Sequence, residues 1–230
     1  MLALLGMLAS VVAVGWPSAP SGEYRFLQRS ASGAPDRWNP CQPIHYVVNL
    51  SVAPPGAMGD VREAVRRVSE ATGISFVSDG TTSRTADQQV GSAFQTAMPG
   101  EPRWLPLLIA WVPHEHFDFL VDTPQAVAFG TPYNGDGSLA DEYVSGVVAV
   151  DAGRRLASGF SQRYSLGVVL MHELGHVMGL AHVPSGHEIM YSPSVRGASL
   201  TPDLTETDWG PGDLAGLKLL GRNAGCLPPR

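Results

Sequence analysis

The chain has 230 residues, enough for one domain with a short tail, and its 44% hydrophobic and 16% charged content argue against wholesale disorder. Its formal net charge is −6, and Lys218 is the only lysine. Because binding to nucleic acid needs a basic face, these counts argue against a nucleic-acid partner.

The first 14 residues are almost entirely apolar, and two interpretations of them compete. They can be the apolar part of a secretory signal peptide, with the small residues Ala13 and Gly15 near a cleavage point. They can also be a membrane anchor, although a helical span needs about 20 residues. We therefore expect a secreted, extracellular protein, with membrane association through residues 1–15 as the alternative to cleavage.

The next segment, residues 16–40, is rich in Ser, Gly, Pro and Arg and has no sustained periodicity. It predicts a linker or a short pro-segment, with ordered structure beginning near Cys41 and a single domain over residues 41–230. Cys41 and Cys226 are the only cysteines. In an exported protein such a pair indicates a disulfide, and two unpaired buried thiols are the alternative.

From Cys41 onward the pattern alternates between short apolar runs and amphipathic segments. Asp60 is a candidate cap for the first helix, and Gly73 is placed to end it. Strands are predicted at residues 44–50, 74–77, 105–112, 126–131 and 144–150, and helices at residues 61–72, 165–178 and 213–220. Residues 81–100 are polar and ambiguous. This order predicts a mixed α/β sheet domain with its chemistry in the second half.

Residues 171–182 read MHELGHVMGLAH and carry a metal-binding pattern. His172 and His176 are four residues apart, so on a helix they share one face. His182 would point away if the helix continued, but Gly179 allows the chain to turn and bring it back. Three neutral imidazoles leave a fourth position open, which is typical of a catalytic zinc site. Glu173 is not needed as a ligand and can act as the general base toward an attacking water.

These residues match the metzincin signature HExxHxxGxxH, and Met190 lies eight residues after His182, where that family has its Met turn. The segment EIMYSP around Met190 resembles the matrixins, although Ser192 separates Tyr191 from the proline. Small exported matrixin-like proteases of bacteria are similar in arrangement. The resemblance covers about residues 44–221, strongly at the histidine helix and the Met turn and weakly elsewhere.

The resemblance implies an α+β metzincin-like fold. We expect a twisted, mostly parallel sheet of about five strands with an antiparallel edge strand, an active-site helix, a Met turn and a C-terminal helix at residues 208–221. It implies a zinc-dependent metalloendopeptidase that acts on proteins or peptides, and we expect it to be a monomer. The expected site comprises the catalytic base Glu173, the zinc ligands His172, His176 and His182, the supporting residues Gly179 and Met190, and the substrate-binding residues Ala128, Phe129, Tyr191 and Pro193.

Several titratable residues outside the motif have expected roles of their own. Asp213 is expected to cap the last helix, and the resemblance would also let it anchor the mature N-terminus. His187 and His45 are interpreted as a loop residue and a structural strand residue. Matrixins carry a second, structural zinc, but the strands at residues 126–131 and 144–150 contain no histidine. A loop with the polar residues His114, Glu115, His116 and Asp118 lies where some of those ligands would be. Two or three of them could still bind such a zinc, and solvated loop side chains are the favoured alternative.

Calcium is a second candidate cofactor, without an assigned site. Asn134, Asp136 and Asp141 could bind it through oxygen atoms, but glycine-rich turns carry such residues for backbone reasons alone. No cysteine-switch segment precedes Cys41. Two rival functions remain: a zinc-dependent hydrolase acting on something other than peptides, and a non-catalytic binding module stabilised by zinc. Glu173 argues against the second, because a structural zinc needs no base.

Overall fold

The computed structural model describes residues 22–30, 33–91, 104–120, 125–133, 142–199 and 205–228. The apolar leader at residues 1–15 lies outside this part of the chain. Within the described residues, no helix combines the length and the apolar composition needed to cross a membrane.

The domain is built on one large sheet. In chain order the described strands are β1 (Arg25–Phe26), β2 (Arg37–Trp38), β3 (Ile44–Asn49), β4 (Phe76–Thr81), β5 (Leu107–Val112), β6 (Ala126–Tyr133), β7 (Glu142–Asp151) and β8 (Leu180–Ala181). The helices are α1 (Ala57–Thr72), α2 (Ala86–Gly91), α3 (Leu166–Met178) and α4 (Pro211–Leu220). Strands β4, β3, β5 and β7 are parallel neighbours, and β2 pairs in parallel with the start of β7. Strand β6 runs antiparallel on the other side of β7.

The core lies on both faces of this sheet. On one face Leu107, Ile109 and Trp111 pack with α1 and α3, and on the other Leu108 and Ala110 pack with residues around α2 and the loop after β5. A strand covered on both faces needs apolar side chains in both directions, which explains the unbroken apolar run of β5. The predicted mostly parallel mixed fold with an antiparallel edge strand is confirmed.

The predicted cap at Asp60 is wrong. Helix α1 begins at Ala57, after Gly56 in a left-handed conformation (φ 86°), so Asp60 lies inside its first turn. Its buried carboxylate accepts hydrogen bonds from the Gly159 backbone N–H at 3.0 Å and the Ser158 hydroxyl at 3.2 Å. Asp60 therefore ties α1 to the loop that precedes α3. The strand predicted at residues 74–77 is also displaced, since β4 begins at Phe76.

The expectation that order begins near Cys41 is wrong as well. Residues 25–30 and 33–38, here called the N-terminal hairpin, fold back on themselves through the bridge between Arg29 and Pro35. β1 pairs with β8, and β2 pairs with β7. Two-residue strands carry no periodicity, which is why the sequence pattern missed them. The predicted disulfide is confirmed: Cys41 is bonded to Cys226 and joins the hairpin's end to the C-terminal tail.

Candidate active site

Helix α3 carries the first half of the motif and is almost completely buried. Ser165 occupies its N-cap position and Met178 is its last residue, as predicted for residues 165–178. α3 packs between α1 on one side and strands β6 and β7 on the other. Because α3 is buried against three elements, the backbone that carries His172, Glu173 and His176 is held rigidly.

The turn at Gly179 brings the third histidine back. Gly179 has φ 112°, a left-handed conformation, and a Cβ built there would lie 3.0 Å from the Asp36 carbonyl oxygen. Both observations require glycine at this position. The chain continues into β8, and His182 follows directly.

The three histidines converge. Nε2 of His182 lies 3.0 Å from Nε2 of His172 and 3.1 Å from Nε2 of His176. Their possible ligand atoms all lie within 4.8 Å of one another, and no other group of three or more such side chains is found in the described part of the chain. The three histidines could therefore hold one metal ion together.

Two backbone carbonyls fix the orientation of the rings. Nδ1 of His172 lies 2.7 Å from the Ile189 oxygen, and Nδ1 of His176 lies 2.7 Å from the Leu180 oxygen. A carbonyl can only accept, so each Nδ1 carries the proton and each Nε2 presents a lone pair. The single Nε2 of His182 can donate to only one of these two lone pairs. A cation at the meeting point satisfies all three nitrogens, so the donor set fits a metal ion.

The electrostatics favour the ligand form of the rings. Burial, followed by the neighbouring histidines, places the pKa of His172 well below its usual value, and the same causes lower the pKa of His176 to about 4. Burial also lowers the pKa of His182. All three imidazoles are therefore neutral at pH 7, as metal coordination requires.

Glu173 directly follows His172 on α3 and has a buried carboxyl group. It is 6% exposed, and burial raises its pKa to about 8. Acidic side chains are seldom buried in this way unless a partner or a function requires it. This burial agrees with the predicted catalytic role of Glu173, which stays a prediction.

Met190 packs against α3 at Gly175. A Cβ on Gly175 would lie only 2.5 Å from the Met190 sulfur, so the absence of a side chain at Gly175 makes room for the thioether. The Met190 carbonyl accepts the Val183 N–H at 2.9 Å, which links the Met turn to the residue after His182. This position agrees with a supporting role for Met190, which stays a prediction.

Two buried carboxylates hold the Met turn, and the sequence pattern identified neither contact. Asp213 accepts hydrogen bonds from the backbone N–H groups of Ile189, Met190 and Gly210. The N-cap residue of α4 is Gly210 rather than Asp213, which lies in the first turn and accepts the Gly210 N–H. Gly22 and Glu23 lie against Gly212, next to Asp213. The role of Asp213 as an anchor for the mature N-terminus stays a prediction. Glu188 accepts from the N–H groups of Gly212 and Asp213 at 3.1 and 2.9 Å, at the amino end of α4.

Arg163, in the loop before α3, is a third supporting residue that the sequence pattern missed. Its guanidinium is buried and donates to the Glu188 carbonyl at 2.8 Å and the Gly186 carbonyl at 2.6 Å. It also lies over the Tyr191 ring, 5.6 Å from the centroid. Nothing in the local sequence distinguishes it from a surface arginine, and only its burial reveals the role.

The remaining predicted residues lie around this centre. His187 is exposed, with Nδ1 4.0 Å from Glu206, and is not part of the triad. His45 lies on β3, with Nδ1 2.9 Å from Asp79. His114 begins a short 3₁₀ turn with Nδ1 3.4 Å from Asp151. The loop at residues 114–118 holds no group of metal ligands, and the proposed calcium residues Asn134, Asp136 and Asp141 lie outside the described residues.

The predicted substrate-binding residues occupy two elements. Ala128 and Phe129 lie on β6, which pairs with β7 on one side and with no described strand on the other. Tyr191 is buried, and its hydroxyl donates to the Ser199 carbonyl at 2.7 Å, whereas Pro193 is exposed. Tyr191 is therefore held as part of a packed loop, and the substrate-binding role of these four residues stays a prediction.

Comparison with known proteins agrees with this geometry. Residues 108–209 match the family model of the peptidases described as matrixins, a segment that includes β5, the triad and the Met turn. No curated protein matches the chain. The matched segment and the histidine triad within it identify residues 108–209 as similar to the matrixin metallopeptidases.

Proposed function

We propose that the protein is a zinc-dependent endopeptidase, with His172, His176 and His182 as ligands and Glu173 as the general base. The convergence of three Nε2 atoms, with both helix histidines fixed through Nδ1, carries the proposal. Imidazole nitrogen is a preferred ligand of zinc, and a set of three leaves one position open. When bound, zinc would supply Lewis-acid chemistry, polarising a carbonyl and making water acidic enough to attack near neutral pH.

Glu173 would take up and release the proton. Its burial disfavours the charged form, whereas a nearby cation favours it, so metal loading would move the carboxyl group toward its base form. As a carboxylate it accepts a proton from the attacking water, and as an acid it returns that proton to the leaving amine. A binding module held together by a structural metal would have no use for a buried carboxyl group at this place.

The substrate would bind as an extended strand along β6. Among the described strands β6 pairs only with β7, so it forms one edge of the sheet. It also contacts α3, the helix that carries His172 and His176. Its backbone groups offer affinity through hydrogen bonds, while nearby side chains set specificity. Ala128 and Phe129 would line this edge, and the segment from Tyr191 to Pro193 would form the wall on the other side of the scissile bond.

The test is hydrolysis of a quenched fluorescent peptide pool by the full chain, with zinc content measured in parallel. We expect cleavage that a chelator abolishes and added zinc restores. Glu173→Gln should lower turnover by about 100-fold or more and leave zinc content unchanged. Glu70→Gln, on the exposed face of α1, is the matched control and should cleave like the parent.

Two outcomes would overturn the proposal. Parental cleavage by Glu173→Gln would remove the general base. A fully loaded parent that cleaves no peptide would favour the non-peptide hydrolase or the binding module.

A further inference from the structure

The N-terminal hairpin meets the carboxyl end of α3, the part of the helix nearest to the third ligand. The last carbonyls of a helix have no partner within the helix, so another part of the chain or water must supply donors. Here the hairpin supplies two hydrogen-bond donors. The Trp38 indole N–H donates to the Val177 carbonyl at 2.9 Å, and the Leu27 backbone N–H donates to the Gly179 carbonyl at 2.8 Å.

The hairpin also forms the ladder that shapes β8. Arg25 pairs with Ala181, and Phe26 pairs with Leu180, both antiparallel. β8 is only two residues long, and β1 is its sole partner among the described strands. A two-residue strand is not stable alone, so its backbone direction depends on this pairing.

β8 in turn governs two of the three ligands. The Leu180 carbonyl accepts the Nδ1 proton of His176, and Ala181 is followed directly by His182. A shift of β8 would therefore change the tautomer and tilt of one ring and the position of another. Second-shell contacts of this kind set the orientation and basicity of metal ligands.

We propose that the N-terminal hairpin is a positioning element of the metal site, acting through β8 on His176 and His182. The inference rests on the proposed zinc site and assigns a role to a segment that the sequence pattern predicts as a linker or pro-segment. Removal of residues up to 40 would remove every contact that the hairpin makes with α3 and β8. We therefore expect any cleavage of the leader to fall before residue 25.

The hairpin is itself fixed at its far end. The Asn39 side chain exchanges hydrogen bonds with the backbone of Leu227, both at 3.3 Å, next to the disulfide between Cys41 and Cys226. The Arg37 guanidinium donates to the Ala224 carbonyl at 3.3 Å. Because the N-terminal hairpin is held at both ends, it can fix the position of β8 more rigidly than a segment with one free end.

The experiment removes single donors in the full chain. Leu27→Pro deletes the N–H that binds Gly179, and Leu27→Ala, at a half-exposed side chain, keeps it. Trp38→Phe deletes the indole N–H that binds Val177. Trp111→Phe removes a similar ring volume from the same core cluster, on β5 and away from the hairpin.

Three quantities are measured for each variant: the zinc dissociation constant by competition with a chelating dye, the visible spectrum of the cobalt(II)-loaded protein, and the unfolding midpoint of the metal-free protein. We expect Leu27→Pro and Trp38→Phe each to weaken zinc binding about ten-fold and to alter the cobalt spectrum, which reports ligand geometry. Leu27→Ala and Trp111→Phe should keep the parental zinc affinity and spectrum, even if Trp111→Phe lowers the unfolding midpoint.

Parental zinc affinity and spectrum in both donor variants would overturn the inference. Equal weakening by Trp38→Phe and Trp111→Phe would also overturn it, because the effect would then follow stability alone. A parent protein that takes up no zinc would overturn the proposed function as well as the inference.

Discussion

His172 and His176 are each oriented by a backbone carbonyl, but the two carbonyls are held in place by different kinds of interaction. The Leu180 oxygen lies on β8 and is held by a short backbone ladder from the N-terminal hairpin. The Ile189 oxygen lies in the Met turn, where Asp213 and Arg163 bind neighbouring backbone groups. One side of the site is braced by backbone contacts and the other by buried ionisable side chains.

This difference predicts different sensitivities. A backbone ladder depends on chain geometry and little on pH. Buried charges have lost their hydration and depend on every partner being present, so removing one partner is costly. The hairpin side should therefore respond to changes in chain connectivity, and the Met-turn side to changes in charge.

The largest expected effect is on the hairpin side. Replacing both cysteines by serine, at Cys41 and Cys226, opens a bridge that spans 185 residues. The chain-entropy model gives a loss of about 4–5 kcal/mol in the free energy of unfolding. Denaturant titration of the variant beside the oxidised parent measures it, and identical midpoints would contradict it.

On the Met-turn side, Asp213→Asn keeps the shape and replaces one of the two acceptor oxygens by an NH₂ group. This NH₂ group would face a backbone N–H of Ile189 or Met190. We expect the free energy of unfolding to fall by about 1–3 kcal/mol, with weaker zinc binding. Asp208→Asn, at an exposed carboxylate, is the control. A variant as stable as that control would show that the second acceptor oxygen does not brace the Met turn.

Arg163→Lys tests the second charge on the same side. One ammonium group cannot reproduce the fork that reaches both Gly186 and Glu188, so we expect a loss of about 1–2 kcal/mol in the free energy of unfolding. The Michaelis constant for a cleaved peptide should rise, because Tyr191 packs against this guanidinium. Arg155→Lys, at an exposed arginine, should change neither quantity.

The last prediction is the contribution of Asp213 to the pH dependence of stability. Burial, followed by repulsion from Glu188, raises the pKa of Asp213 to about 7, from an ordinary value of 3.8. Between these values the folded state holds a proton that the unfolded state has lost. The contribution of this group to stability is therefore full below pH 3.8 and declines as the pH rises to about 7.

Metal-free protein unfolded at several pH values would measure this slope. Asp213→Asn should make the change of the free energy of unfolding with pH smaller, whereas Leu27→Ala on the hairpin side should leave this pH dependence as in the parent. A parental slope that the Asp213→Asn variant retains in full would assign the pH dependence to another group.

Much of the site was predictable from residues 171–190. The spacing of His172 and His176 needs only a helix, and Gly179 before His182 needs only a turn, so local rules suffice. The cap at Asp60 failed because a tertiary hydrogen bond to Gly159 competes with the local capping pattern. The hairpin was missed because strands of two residues leave no periodic trace.

By itself, the sequence predicted the residues of the proposed metal site and the proposed base, because these depend on residue type and on spacing within one helix and one turn. The tertiary structure decided what holds them: a hairpin from residues 25–38 against β8, and Arg163, Glu188 and Asp213 around the Met turn. These supports join segments up to about 150 residues apart in the chain. Their contacts follow from burial and from the pairing of unsatisfied backbone groups, which no local pattern encodes.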